Sequence, residues 1–155
     1  MPVDRKKGQF TFRTTAVLFI LSAFFELLSV GSETLLFGVI RAGIIAGIYH
    51  LVYVTLFMTL GVGLWSGKSW GYPLVFGTTI IYTLDKVQFL LGREALETLI
   101  ANQMAGYESA LQAQGIDAAL LMQAIALMSV VVVLCWWGFA LYTYLQRDYF
   151  KREAV

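Results

Sequence analysis

The sequence predicts an all-α integral membrane protein: a four-transmembrane-helix bundle with an extracytoplasmic amphipathic helix between spans 3 and 4. Three observations predict it. Apolar residues make up 59% of the 155 residues and charged residues only 14%, against roughly 25% charged in soluble domains. The apolar residues fall into four blocks, each near the roughly 20 residues that cross a hydrocarbon core. One long polar stretch, GREALETLIANQMAGYESALQAQGID, separates the last two blocks. The chain reads as a single membrane domain, with no linker and no low-complexity tract.

Composition also excludes some functions. A net charge of +1 offers no basic face for nucleic acid. One cysteine, Cys135, forms no internal disulfide and no cysteine-based zinc cluster; it reads as a small buried hydrophobe. There is no GxSxG, HExxH, phosphate loop or CxxC, so no recognised catalytic or nucleotide motif supports an enzyme, and none assigns a cofactor.

The N-terminal stretch MPVDRKKGQFTFR is basic and polar, with Phe10 and Phe12 placed for a headgroup interface. Span 1 covers about residues 14–30, with Thr14 or Thr15 as its cap. It is a span rather than a secretory leader, because it is too long for an h-region and holds Glu26. The connector GSETLLFGVIR is too apolar for a solvated loop and reads as an interfacial or partly re-entrant segment.

Span 2 covers about residues 42–65 and contains a GxxxG, Gly43 and Gly47. Small residues at that spacing let helices approach closely. The next turn, WSGKSWG, is short, positive and flanked by Trp65 and Trp70, as at a membrane–water interface. A turn this short makes spans 2 and 3 antiparallel neighbours. The junction GLWSGKSWG, from Gly63 to Gly71, is similar to span–turn–span junctions of small four-span bacterial proteins; the resemblance implies no function. Pro73 fits the first turn of span 3, about residues 72–91.

In the polar stretch, Leu96, Leu99, Ile100, Met104, Tyr107 and Leu111 recur at helical spacing. This predicts an amphipathic helix over about residues 93–114, lying on the membrane or folded over the bundle. Gly106 bends it, Gly115 ends it, and Asp117 caps span 4, about residues 118–144.

Four spans put both termini on one side. That side holds Arg5, Lys6, Lys7, Arg13, Lys68, Arg147, Lys151 and Arg152; the other holds Arg41 and Arg93 among five acidic residues. The positive-inside rule predicts cytoplasmic termini in a cell membrane, the inner membrane of a bacterium.

The candidate site follows from depth. At 1.5 Å per residue, Glu26 lies roughly 8 Å, Asp85 roughly 10 Å, His50 about 13 Å and Gln123 about 8 Å below the outer ends of their spans. Spans running in opposite directions thus place polar groups in one outer-half layer, which Tyr49, Tyr53, Tyr82, Lys86 and Gln88 can join. Intramembrane ionisable residues are expensive and mark function by default. A histidine with two carboxylates suits a proton, an ion or a small polar ligand. With one histidine and no HxxxH or ExxH pair, metal is the weaker version. Asp85 and Lys86, about 100° apart on a helix, are expected to face different points, with Lys86 snorkelling outward. Trp136 and Trp137 lie deep in span 4, where they fill a helix contact or stack on a flat hydrophobic ligand.

Three function classes follow. The first is a small membrane protein, acting as an oligomer, with that polar site and the amphipathic helix as lid. The second is a non-catalytic accessory subunit docking a larger membrane complex through spans 2 and 4, by Gly43, Gly47, Trp136 and Trp137. The third is a membrane-embedded enzyme acting on a lipid or other hydrophobic substrate, with Glu26, His50 or Asp85 as acid or base.

Overall fold

Four helices in the computed structural model are long and apolar enough to cross a membrane. The structure describes residues 8–104, 107 and 118–151. The elements run α1 (Gln9–Leu28), β1 (Thr34–Leu36), β2 (Val39–Arg41), α2 (Gly43–Ser66), α3 (Gly71–Leu91), α4 (Arg93–Met104) and α5 (Ala118–Leu145), then a 3-10 turn, Arg147–Phe150. The outward faces are apolar, with Phe25, Leu28, Ile44, Leu84, Leu127, Leu134 and Leu141 all exposed. Apolar cover on this scale marks a surface that meets lipid.

α1 begins five residues before the expected start of span 1, so Thr14 and Thr15 lie inside the helix and do not cap it. The reason is Phe12. Its ring is fully buried and stacks on Tyr149 at 4.5 Å, with Phe150 edge-on at 5.0 Å. Phe12 is therefore a core residue and not an interfacial anchor; Phe10, two residues earlier, is exposed. The contact ties the first turn of α1 to the 3-10 turn after α5. Tyr149 also donates a hydrogen bond to the Leu64 carbonyl at 2.8 Å, fastening that turn beneath α2.

α1 and α2 pack along their length. A Cβ on Gly61 would stand 3.1 Å from the Ala16 carbonyl oxygen, so that glycine sets their spacing. α2 and α3 close at the turn, where a Cβ on Gly71 would lie 3.0 Å from the Gly63 carbonyl. The close approaches thus fall at Gly61, Gly63 and Gly71. Of the expected GxxxG pair, among the described residues a Cβ on Gly47 would meet only Val30, and one on Gly43 nothing within 4 Å. Gly71→Ala should lower stability by about 1–3 kcal/mol through backbone displacement. Thermal unfolding in detergent checks it, with the exposed Gly138→Ala, whose Cβ meets nothing within 4 Å among the described residues, as the comparison.

The 31–41 connector is a β-hairpin rather than a re-entrant segment. Thr34 pairs with Arg41, Leu35 with Ile40 and Leu36 with Val39. Pairing satisfies backbone groups that a loop at the membrane would leave open. The two-residue turn has positive φ at Phe37 (52°) and Gly38 (72°), as a type I′ turn requires. Leu35 and Ile40 point inward and pack with Leu96, Leu99 and Met122. Hairpin, α4 and the start of α5 therefore share a small second core at the end of the bundle where α3 stops. α4 buries Leu96 and Leu99 as its spacing requires, while Tyr107 is exposed. The expected continuation of this helix to 114, the bend at Gly106, the end at Gly115 and the Asp117 cap lie outside the described residues.

Candidate functional site

α2 carries the centre of the site on two consecutive residues. Tyr49 turns toward α3 and His50 toward α1. Tyr49 donates its phenolic hydrogen to Asp85 Oδ1 at 3.0 Å. His50 Nδ1 stands 2.8 Å from Glu26 Oε1. The two rings lie edge to face with centroids 5.3 Å apart. Glu26–His50 and Tyr49–Asp85 thus form two adjacent pairs, joined by the neighbouring rings of Tyr49 and His50.

The levels follow from the helix ends. His50 is seven residues inside α2 and Asp85 six inside α3, or about 10 Å and 9 Å at 1.5 Å per residue. α1 stops at Leu28, two residues after Glu26 and earlier than expected, so Glu26 sits only about 3 Å from its helix end. Its pairing with His50 nevertheless brings it to the same layer.

Lys86 corrects an expectation. Adjacent helical residues diverge by about 100°, yet Lys86 Nζ reaches Asp85 Oδ2 at 3.1 Å. The four-carbon stem bends the ammonium back over the rings of Tyr82 (5.1 Å) and Phe89 (5.2 Å). Desolvated cation–π contacts of this kind hold a charge where water is scarce. Asp85, buried on its helix, therefore has a cation on one oxygen and Tyr49 on the other.

Gln88 extends the network to the surface. Its side-chain amide donates to the Leu35 carbonyl at 3.1 Å and to Asp85 Oδ1 at 3.4 Å, and its oxygen accepts from the Phe37 N–H at 2.7 Å. The hairpin turn is thus clamped to α3 one helical turn from the buried acid. Sequence reasoning placed Gln88 in the layer but missed the clamp, because an FG dipeptide is a weak turn signal beside NG or DG.

The remaining predicted residues divide. Tyr53 is buried against Tyr49 and Phe57 at 4.9 and 5.6 Å between centroids. Tyr82 stacks on Trp136 at 5.2 Å. Trp136 also packs on Phe19 and Phe57, so it fills the junction of four helices. Trp137 is half-exposed and donates its indole N–H to Thr83 Oγ1 at 3.1 Å. Gln123 faces away from the layer and is exposed; rotation of α5 about its axis, unreadable from depth alone, turns it outward. Cys135 is exposed on α5 rather than buried.

Chemically, the feature that distinguishes the site is His50. The residue is 7% exposed. An ionised carboxylate only accepts, so opposite an ionised Glu26 the Nδ1 would carry the hydrogen. His50 Nε2 is buried and meets no hydrogen-bond partner among the described residues. Buried polar atoms in folded proteins are nearly always paired, and this nitrogen is an exception. Among the described residues, no group of three or more histidine, cysteine, aspartate or glutamate side chains is gathered closely enough for a metal ion.

A family model described as "Predicted membrane protein (DUF2127)" matches residues 40–86. The matched stretch holds α2, the tryptophan-flanked turn and α3 through Lys86, and so includes Tyr49, His50 and Asp85 but not Glu26. No curated protein and no solved structure matches the chain.

Proposed function

We propose that this membrane protein uses the Glu26–His50 pair and the adjoining Tyr49–Asp85–Lys86 group as an outer-half intramembrane site for a proton, with the chain acting as an oligomer. The observation that carries the reading is the buried, unpartnered His50 Nε2 opposite the Glu26-bound Nδ1. Charge balance supports it. Lys86 balances Asp85. Glu26 with a neutral His50 leaves one negative charge at membrane depth, where uncompensated charge is costly. One proton on the pair cancels it, and Nε2 is the atom through which that proton can arrive and leave. The hairpin and α4 cover the outer end of the site. The lysine and arginine distribution supports cytoplasmic termini, with hairpin and α4 on the far side.

The test is proton uptake by the protein in nanodiscs after an acid step, read with a pH-sensitive dye. The wild type should take up one proton more per chain than the double variant Glu26→Gln/His50→Leu, which removes the pair while keeping its size. Equal uptake by the two would contradict the reading.

A second reading, an accessory or self-associating subunit, is favoured by an apolar groove of about 460 Å³ between α2 and α3, lined by Ile48, Val52, Thr55, Thr59, Leu74 and Ile81. The Thr55 and Thr59 hydroxyls donate to the carbonyls of Leu51 and Thr55 at 2.9 and 2.7 Å, so the groove offers shape without polar demand. Such a surface suits a helix of a second copy of this chain. Sizing in mild detergent should give an oligomer. A lone chain there counts against both the groove and the oligomer.

A further inference from the structure

We infer that the polar site continues inward along α3 to the Thr78 and Thr143 hydroxyls, forming a relay for protons carried by water. The inference rests on the proton-site reading and lengthens it.

Thr78, Tyr82 and Asp85 are spaced i, i+4, i+7, one face of a helix. That face looks into the bundle: Thr78 is fully buried and Asp85 buried, and Tyr82 stacks on Trp136. α5 supplies the matching group. The hydrogen bond from Trp137 to Thr83 fixes the register of the antiparallel pair. Six residues along α5 from Trp137 is Thr143; five residues back along α3 from Thr83 is Thr78. Both threonines therefore lie on the inner side of that bond, Thr78 toward the start of α3 and Thr143 toward the end of α5. Thr143 is also fully buried.

Their hydroxyls differ from those of four other helical threonines. Those of Thr55, Thr59, Thr79 and Thr83 each donate to the carbonyl four residues earlier, between 2.7 and 2.9 Å. The Thr78 and Thr143 hydroxyls meet no hydrogen-bond partner among the described residues. A helical threonine has a local carbonyl within reach, so two fully buried hydroxyls that forgo it, on the inner parts of α3 and α5, point to a shared polar partner between the two helices. A water molecule has the required donors and acceptors. Asp85 lies seven residues, about 10 Å, above Thr78, and Tyr82 stands between them. Transfer along such a row is balanced: each hydroxyl or water accepts one hydrogen as it releases its own, and no oxidant or reductant is needed.

The experiment is proton flux in proteoliposomes of the full chain under an imposed pH gradient, with Thr78→Val, Thr143→Val, Thr143→Ser and Thr79→Val. The two variants Thr78→Val and Thr143→Val should fall to the rate of protein-free vesicles. Thr143→Ser, which keeps the hydroxyl, and Thr79→Val, whose hydroxyl is locally bonded, should retain the wild-type rate. Proton uptake in nanodiscs should be unchanged in all four. Wild-type flux in Thr78→Val and Thr143→Val, with uptake intact, overturns the relay and leaves the outer site standing. No flux in the wild type overturns the relay outright, and loss of the Glu26- and His50-dependent uptake as well removes the outer site with it.

Discussion

Asp85→Ala should lower the stability of the folded protein by about 3 kcal/mol, the lower end of the range for stranding one member of a buried ion pair. Lys86 is the reason. Its ammonium lies 3.1 Å from Asp85 and is held over Tyr82 and Phe89. Without the carboxylate it remains in a region where an isolated cation is expensive. Tyr49 loses its acceptor and Gln88 one of its partners. The Lys86 side chain is 23% exposed and its stem can carry the charge outward, which keeps the loss toward the lower end. The double variant Asp85→Ala/Lys86→Met should recover most of the stability, because removing both charges together leaves none unpaired. Reversible unfolding in mixed micelles measures both. Equal stabilities of Asp85→Ala and the double variant would show that Lys86 does not depend on Asp85.

Phe12→Ala should destabilise by about 3–5 kcal/mol, as truncation of a fully buried aromatic does. The ring is 0% exposed and touches Tyr149, Phe150, Tyr142 and Phe139. The loss should be local as well as global. The 3-10 turn at Arg147–Phe150 is held by this cluster and by the Tyr149 bond to Leu64. Trypsin should therefore cut at Arg147 and Lys151 faster in Phe12→Ala than in the wild type. Phe10→Ala, at an exposed position two residues away, should stay within about 0.5 kcal/mol. Similar behaviour of the two variants would mean that the aromatic cluster does not hold α1 to the 3-10 turn.

The architecture was legible because lipid imposes a length. Four apolar blocks of about 20 residues leave little choice of class, and α2, α3 and α5 begin or end close to where their blocks do. Depth needs only the rise per residue, and it placed His50 and Asp85 at similar distances from their helix ends, while the earlier end of α1 left Glu26 shallower than expected. Rotation does not follow from depth. It decides that Gln123 and Cys135 face outward while His50 and Asp85 face inward. Side-chain reach is equally hidden, and backbone geometry alone placed Lys86 away from the acid that its ammonium pairs with. Phe12 reads locally as an interfacial aromatic. Its burial depends on Tyr149 and Phe150, more than 130 residues away in sequence. The placement of Thr78 and Thr143 becomes visible only once the Trp137–Thr83 bond fixes the register of two helices.

His50 is the one histidine in the chain, so the nitrogen resonances of its ring report on the site without ambiguity. Solid-state 15N NMR of histidine-labelled protein in bilayers, recorded as the bath is stepped from alkaline to acid, is the most direct test of the central claim. The account predicts that Nδ1 stays protonated and hydrogen-bonded throughout, that Nε2 moves between its unprotonated and protonated positions, and that Glu26→Gln alters both signals. An Nε2 resonance that never moves while the protein stays folded would contradict it.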